Sequence, residues 1–158
     1  MRFTLNGQPQ DLEPPDHELL LDTLRERFAL FSVREGCGVG ACGTCTVLLD
    51  GRPASSCLLF TSRLEGRDIL TSEGLGGEHN PSPVQQAFIQ AAGFQCGYCT
   101  PGFVLSVEAL LRETPAPSDD DIRESLAGNL CRCGAYPNIL RAVRLAAERR
   151  RAEPASAV

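Results

Sequence analysis

The spacing of eight cysteines constrains this chain more than any other feature of its sequence. The first four are Cys37, Cys42, Cys45 and Cys57, in the order C-x4-C-x2-C followed by eleven residues and a cysteine. Glycines are interleaved with the first three, and glycine allows several thiolates to converge while backbone amides turn inward. This order is typical of plant-type [2Fe–2S] sites. We therefore expect these four thiolates to hold one [2Fe–2S] cluster.

The other four cysteines form a second set, a C-x2-C pair at Cys96 and Cys99 and a C-x-C pair at Cys131 and Cys133. Each pair falls in the connection between two predicted helices. In an up-down-up-down bundle those two connections lie at the same end, so the four sulfurs meet there. The helix topology therefore predicts a second four-thiolate site, and the eight cysteines divide into two complete sets.

Three other uses of the cysteines are weighed against iron–sulfur clusters. Structural zinc also accepts four thiolates, but its sites more often use paired C-x2-C knuckles than C-x4-C-x2-C. Disulfides are disfavoured because the chain enters a strand pattern at once, with no signal peptide. Rieske ligation requires two histidines, and His17 and His79 lie outside both sets. Zinc is therefore kept as the alternative metal.

A literal G-x-G-x-x-G occurs at residues 38–43. A dinucleotide-binding fingerprint needs a strand before it and a helix after it. Here the segment contains Cys42 and runs into the β-like residues 46–49, so we expect no nucleotide site. The serines also have no nearby histidine, and we expect no catalytic residues in this chain. Two redox sites without substrate chemistry indicate an electron relay.

Charge and hydropathy exclude several classes of partner. The net charge of the 158-residue chain is −5, with no basic block in its body, so nucleic acid is not an expected partner. No apolar run approaches 18 residues, so no membrane span is expected. Without a leader, the chain as given is expected in the cytoplasm, where cysteines serve as metal ligands more often than as disulfides.

The first half of the chain has the patterns of a small α+β unit. Asn6-Gly7 between alternating apolar and polar residues predicts a β-hairpin, and Asp16 is a predicted helix cap. The predicted elements are a hairpin over 2–14, a helix over 17–29, a hairpin that runs from Thr46 toward Phe60 with its turn at Asp50-Gly51, and a strand at 68–70.

The second half has the periodicity of four helices. Thr100 and Pro101 are predicted to start one of them, and Ser118 with Asp121 resembles a capping box before another. The predicted domains are a plant-type [2Fe–2S] ferredoxin domain at 1–73, a linker at 74–82, a four-helix [2Fe–2S]-binding domain at 83–150 and a tail at 151–158.

Three segments carry a family resemblance. Residues 35–47, with the first three cysteines, resemble the first cluster loop of the xanthine dehydrogenase/aldehyde oxidase family of molybdenum hydroxylases. Residues 95–102, which read Q-C-G-Y-C-T-P-G, resemble the second-cluster motif of that family, and residues 129–133, N-L-C-R-C, its closing motif. The resemblance covers residues 2–148, and three motifs in the same order make it specific.

The resemblance implies an α+β fold in which a β-grasp ferredoxin domain precedes a four-helix bundle domain. It implies a small subunit beside a large molybdopterin-binding subunit, often with a medium FAD subunit. It also implies that Cys133 approaches the pterin and that Gln95 hydrogen-bonds the molybdenum cofactor.

The leading hypothesis is therefore an electron-transfer subunit of a molybdenum hydroxylase. It would relay single electrons from the molybdopterin centre through two [2Fe–2S] clusters to FAD or another acceptor, while an N-heterocycle, an aldehyde or CO is oxidised elsewhere. The alternatives are a stand-alone two-cluster ferredoxin and a zinc-stabilised adaptor. Zinc thiolates are colourless and [2Fe–2S] centres are red-brown, so visible absorption distinguishes the adaptor from the other two.

Overall fold

The computed structural model describes residues 1–77 and 79–152, and its first half contains one mixed β-sheet. The strands are β1 (Arg2–Leu5), β2 (Gln8–Asp11), β3 (Thr46–Leu49), β4 (Arg52–Ser55) and β5 (Asp68–Leu70). Their order in the sheet is β2-β1-β5-β3-β4. β1 and β5 run parallel, whereas the other neighbouring pairs are antiparallel. With the helices described below, this sheet confirms the α+β class.

Both hairpins turn at the predicted dipeptides. Asn6 and Gly7 have φ of 51° and 76°, and Asp50 and Gly51 have φ of 49° and 80°. Two successive positive φ values are characteristic of type I′ turns, whose twist matches that of the flanking strands. The two hairpins and the short strand β5 are therefore confirmed.

The second strand of the second hairpin is shorter than predicted. It ends at Ser55 and does not run on toward Phe60, because Ser56–Leu58 form a 3-10 turn. The N–H and the hydroxyl of Ser56 both donate to the carbonyl of Cys45, at 3.3 and 2.8 Å. These two bonds end the strand and fix the turn that carries Cys57.

The first helix also begins later than predicted. α1 (Leu20–Asp22) continues as a π-helical turn over Thr23–Arg27. Leu19 forms a β-bridge with Phe60, so the chain is still extended one residue before α1. Asp16 therefore does not cap the helix, which has Leu19 as its N-cap and no side-chain cap.

Five helices follow the sheet within the described residues. They are α2 (Ser72–Leu75), α3 (Pro83–Gln90), α4 (Thr100–Glu113), α5 (Asp119–Ser125) and α6 (Tyr136–Ala152). A capping box between Ser118 and Asp121 starts α5, as predicted, and another between Ser82 and Gln85 starts α3. The N-cap of α4 is Cys99, one residue before the predicted Thr100.

α4 is buried on two opposite sides and joins the two halves of the molecule. Phe103 and Val107 lie in the core of the helical half, together with buried side chains of α3 and α6. Leu105 and Ala109 pack against Leu48 of β3 in a separate small cluster. This double contact places the connection before α4, which contains Cys96 and Cys99, beside the sheet half.

The predicted domain limits differ slightly from the limits of the elements. α2 covers the first two residues of the predicted linker at 74–82, and α6 extends two residues into the predicted tail at 151–158. Glu78 and residues 153–158 lie outside the described residues. Within the described part, no helix has both the length and the apolar character needed to cross a membrane.

Candidate iron–sulfur sites

The first cysteine loop, residues 36–45, has a backbone that turns toward the Cys37 thiol. The N–H groups of Val39 and Ala41 donate to Cys37 Sγ at 3.5 and 3.3 Å. These two bonds, with a hydrogen bond to the Cys42 side chain, lower the pKa of the Cys37 thiol to about 7. Amide donors of this kind favour a thiolate, which is the form that binds iron.

Gly40 allows this loop to approach the turn that carries Cys57. Its φ of +74° is unfavourable for any residue with a side chain, and a Cβ at this position would clash with Leu58 Cδ1. Burial raises the pKa of the Cys57 thiol, and the N–H of Gly40 acts against that increase. The glycine therefore brings the first three cysteines of the set to the fourth.

The four thiols of the first set approach each other in two pairs. Cys37 is exposed, and its thiol contacts that of the half-buried Cys42. Cys45 and Cys57 are 2% and 5% exposed, and the Cys45 thiol acts on the pKa of Cys57. Burial is the main reason that the pKa of Cys57 rises to about 11, with Cys45 adding to the increase.

The second set has the same arrangement, although its cysteines come from two distant connections. Cys96 and Cys133 are exposed, and the Cys133 thiol, after the Tyr98 N–H, helps to lower the pKa of Cys96. Cys99 and Cys131 are buried and form the second pair. Burial, with Cys131 as a further cause, raises the pKa of Cys99 to about 12, while the Tyr98 N–H is the main cause that lowers the pKa of Cys96.

Each site therefore consists of an outer, more exposed pair of thiols and an inner, buried pair. A [2Fe–2S] cluster has two irons and four thiolate ligands, two on each iron. Two thiol pairs fit this demand better than they fit one tetrahedral zinc ion, which needs four sulfurs around a single point. Among the described residues, no group of three or more His, Cys, Asp or Glu side chains is gathered as one metal ion would require.

The two sites are joined by a direct backbone hydrogen bond. The N–H of Leu130, next to Cys131, donates to the carbonyl of Cys42 at 2.9 Å. A cavity of about 400 Å³ lies at the same place and is lined by Cys42, Leu130, Cys96, Cys99 and Cys131, among other residues. Sequence spacing predicts each site separately, but it does not predict this contact between them.

A buried asparagine holds the first loop against the helical half. Asn129 is 5% exposed; its Nδ2 donates to the carbonyl of Gly43 at 3.3 Å, and its Oδ1 accepts from Ser106 Oγ at 2.9 Å. Gly43 has φ +70°, and a Cβ there would lie 2.6 Å from the carbonyl oxygen of Gly128. The first loop can take this position only with a glycine at the point of contact.

A second connection lies nearer the surface and involves Arg34 and Tyr98. Arg34 Nη1 donates to the carbonyl of Gly97 at 2.5 Å, and Tyr98 Oη donates to the carbonyl of Glu35 at 2.6 Å. The guanidinium carbon also lies 5.3 Å from the centroid of the Tyr98 ring. Tyr98 and Asn129 stand inside the motifs that carry the family resemblance, but neither sequence spacing nor periodicity predicts their contacts.

Gln95 lies on the exposed side of the second site. Its Nε2 donates to the backbone carbonyl of Cys133 at 3.1 Å. The two residues predicted to face a partner's cofactor are therefore adjacent, and both lie at the exposed side of this site. Their predicted contacts with a pterin stay a prediction.

Comparison with known proteins identifies the chain. A family described as "2Fe-2S iron-sulfur cluster binding domain" matches residues 3–71, and one described as "[2Fe-2S] binding domain" matches residues 71–144. One of the subunits of the nicotinate dehydrogenase of Pseudomonas putida is 51% identical over 93% of this chain and 94% of its own length. The xanthine dehydrogenase iron-sulfur-binding subunit of Escherichia coli O157:H7 is 44% identical over 89% of each chain. The chain belongs to the iron–sulfur subunits of the xanthine dehydrogenase/aldehyde oxidoreductase family.

A solved relative places such a subunit within a much longer chain. The aldehyde oxidoreductase of Desulfovibrio desulfuricans matches 98% of this iron–sulfur subunit with 41% identity and a TM-score of 0.92. The match covers only 17% of that chain. The iron–sulfur subunit is thus the electron-transfer part of an oxidoreductase of this family and has a large catalytic partner.

Proposed function

We propose that this subunit holds one [2Fe–2S] cluster at each of its two cysteine sites and transfers electrons within a molybdenum hydroxylase. The ligands would be Cys37, Cys42, Cys45 and Cys57 at the first site, and Cys96, Cys99, Cys131 and Cys133 at the second. When bound, such clusters supply one-electron transfer. The proposed domains are the ferredoxin domain at 1–73, the linker at 74–82 and the four-helix domain at 83–150, with a tail at 151–158.

One observation carries this proposal: two sites with paired thiols meet through one hydrogen bond. From Cys131 the path to Cys42 runs through one peptide bond and the 2.9 Å contact between Leu130 N and the Cys42 carbonyl. Cys131 is buried and Cys42 is half-buried, so water has limited access to both ends of this path. A zinc-stabilised adaptor would have no use for a short path of this kind.

The exposed surface around the second site supports a partner in the form of a large molybdopterin-binding subunit. Tyr98, Leu130 and Tyr136 are 47%, 53% and 40% exposed and line the cavity that also contains Cys96, Cys99 and Cys131. Exposed aromatic and aliphatic side chains grouped in this way are typical of a surface that another protein covers. Cys133 and Gln95 lie on the same side and would face the pterin.

The exposed surface around the first site supports the proposal that the electron acceptor binds there, at the end of the relay away from the molybdopterin centre. Val39, Leu58 and Phe60 are 69%, 56% and 48% exposed, and all three lie near the Cys37–Cys42 pair or the Cys57 turn. We propose that a medium FAD subunit covers this surface. A different electron carrier is the alternative acceptor.

The substrate is proposed to be an N-heterocycle, because relatives of 51% and 44% identity are named for nicotinate and xanthine. Aldehydes and CO are the alternatives, and the groups that would select among them lie on the large subunit. We place the enzyme in the cytoplasm, where thiolates bind metal in preference to forming disulfides.

Isolation of the native complex through a tag on this chain tests the proposal. We expect about four iron atoms per chain, molybdenum and flavin in the same complex, and two distinguishable EPR signals after reduction by nicotinate or hypoxanthine. A red-brown monomer with two clusters would instead establish the stand-alone ferredoxin. A colourless zinc-containing monomer would establish the adaptor.

A further inference from the structure

Arg34 belongs to the first site through its backbone. Its N–H donates to the carbonyl of Thr44 at 3.3 Å, and its own carbonyl accepts from Thr44 Oγ1 at 3.0 Å. The same Thr44 hydroxyl lies 3.2 Å from Cys42 Sγ. The backbone position of Arg34 is therefore fixed by the loop that carries the first three cysteines.

The side chain of Arg34 belongs to the second site. Its Nη1 donates to the carbonyl of Gly97, which lies between Cys96 and Cys99. The guanidinium also lies against the Tyr98 ring, and the Tyr98 hydroxyl returns a hydrogen bond to the residue after Arg34. A loop of the first site thus places a positive charge at the C-x2-C loop of the second.

No carboxylate within the described residues forms an ion pair with this guanidinium. Its hydrogen bonds go to the carbonyls of Phe31 and Gly97, which are neutral. The adjacent Glu35 directs its carboxylate toward Gly38, on the first loop. Arg34 is only half-buried, but its charge is not neutralised locally, and its aromatic neighbour excludes water from one face.

We propose that Arg34 is a tuning residue that raises the reduction potential of the second cluster. Reduction adds one electron, and hence one negative charge, to the cluster and its four thiolates. A fixed cation nearby stabilises that reduced form more than the oxidised form, and net charge is one of the factors that set the potential of iron–sulfur clusters. The inference rests on the proposed function, since it needs clusters at both sites.

A redox titration of the assembled enzyme, followed by EPR, tests this role. The variants are Arg34→Gln, which retains a hydrogen-bond donor but no charge, and Arg34→Lys, which retains the charge but not the planar contact with Tyr98. We expect the midpoint potential of the second cluster to fall in Arg34→Gln and to fall less in Arg34→Lys. The first cluster is the internal reference, and its potential should change less in both variants. Tyr98→Phe, which keeps the ring and the charge, should leave both potentials near the wild-type values.

An unchanged second potential in Arg34→Gln, or an equal shift of both clusters, would overturn the assignment. If Arg34→Gln does not assemble, Arg34→Lys decides: a small fall limited to the second cluster supports the role, and no shift or an equal shift refutes it. The wild-type titration distinguishes a failure of the proposed function from a failure of the tuning role of Arg34. Absence of two EPR signals there would refute the proposed function itself, whereas two signals with no response to Arg34 would refute only the tuning role.

Discussion

The two cysteine sites share one arrangement of thiols but are built in different ways. In the first site, three cysteines lie within nine residues, and the loop itself brings them together through backbone amides and glycines. In the second site, the inner thiols Cys99 and Cys131 lie 32 positions apart, and only the packing of the helices brings them together. The same arrangement of thiols is thus obtained once from local sequence and once from tertiary structure.

This difference determines what a bound cluster does for stability. A cluster at the second site cross-links two connections of the helical half, whereas a cluster at the first site closes shorter stretches of chain. Closing a longer loop removes more conformational entropy from the unfolded chain, although the increase with length is slow. The second cluster should therefore matter more for stability, and the first should depend less on the rest of the fold.

The largest expected effect comes from removing one inner thiol at each site. Cys131→Ala and Cys45→Ala should each lose about half of the iron, because each site needs all four thiolates. Cys131→Ala should keep the EPR signal of the first site, and Cys45→Ala that of the second. The Cys131 variant should also be less stable than the Cys45 variant by about 1 kcal/mol, the difference in loop entropy between spans of 32 and 12 positions.

Iron analysis, EPR and thermal loss of the visible absorption measure these outcomes in the assembled enzyme. The matched pair is its own control, since both side chains are buried and both substitutions are the same. Loss of both signals in both variants would show that the sites do not fold independently. A more stable Cys131 variant would contradict the cross-link argument.

A smaller effect is expected where the first loop touches the helical half. Gly43→Ala places a methyl group 2.6 Å from the Gly128 carbonyl at a φ of +70°, and backbone atoms there cannot move aside. Gly66 has a similar φ of +72° but open space around it. Gly66→Ala should cost about 1 kcal/mol from the backbone conformation alone, whereas Gly43→Ala should cost roughly 3 kcal/mol because steric strain is added.

In thermal terms, Gly43→Ala should lower the midpoint for loss of visible absorption by roughly 6–12 °C, and Gly66→Ala by roughly 2–4 °C. Gly43→Ala should also broaden the EPR signals of both sites, because the contact that it disturbs is shared between them. Equal midpoints for the two alanine variants would mean that the first loop is not held by the helical half.

The sequence predicts those features that depend on neighbouring residues. The dipeptides at both hairpin turns and the capping box at Ser118 follow from local chemistry, and the structure contains each of them. The first cysteine set is predicted in the same way, from its spacing and its glycines. The approach of the Cys37 thiol to that of Cys42 follows from the loop conformation.

The features that the sequence does not predict depend on contacts between distant residues. Leu19 is extended because it pairs with Phe60, and β4 ends early because Ser56 bonds back to Cys45. Leu105 is an apolar residue, but no neighbouring residue in the sequence indicates that it packs against Leu48 of the sheet half. The connection of the two sites belongs to the same class, since no spacing rule relates Leu130 to Cys42.

The smallest expected effect concerns the starts of two helices. Local capping correctly predicts where α5 begins, whereas a tertiary contact sets where α1 begins. Ser118 accepts a hydrogen bond from the Asp121 N–H at the start of α5, and its loss in Ser118→Ala should cost about 1 kcal/mol. Amide hydrogen exchange in α5 of the assembled enzyme should then become about fivefold faster, if exchange occurs by local opening.

Asp16 has the same expected role in the sequence, but α1 starts at Leu20 without a side-chain cap. Asp16→Ala should therefore change stability by less than about 0.5 kcal/mol and leave exchange in α1 unaltered. Faster exchange in α1 after Asp16→Ala would mean that the bridge between Leu19 and Phe60 does not set the start of that helix. Local capping would then determine where both α1 and α5 begin.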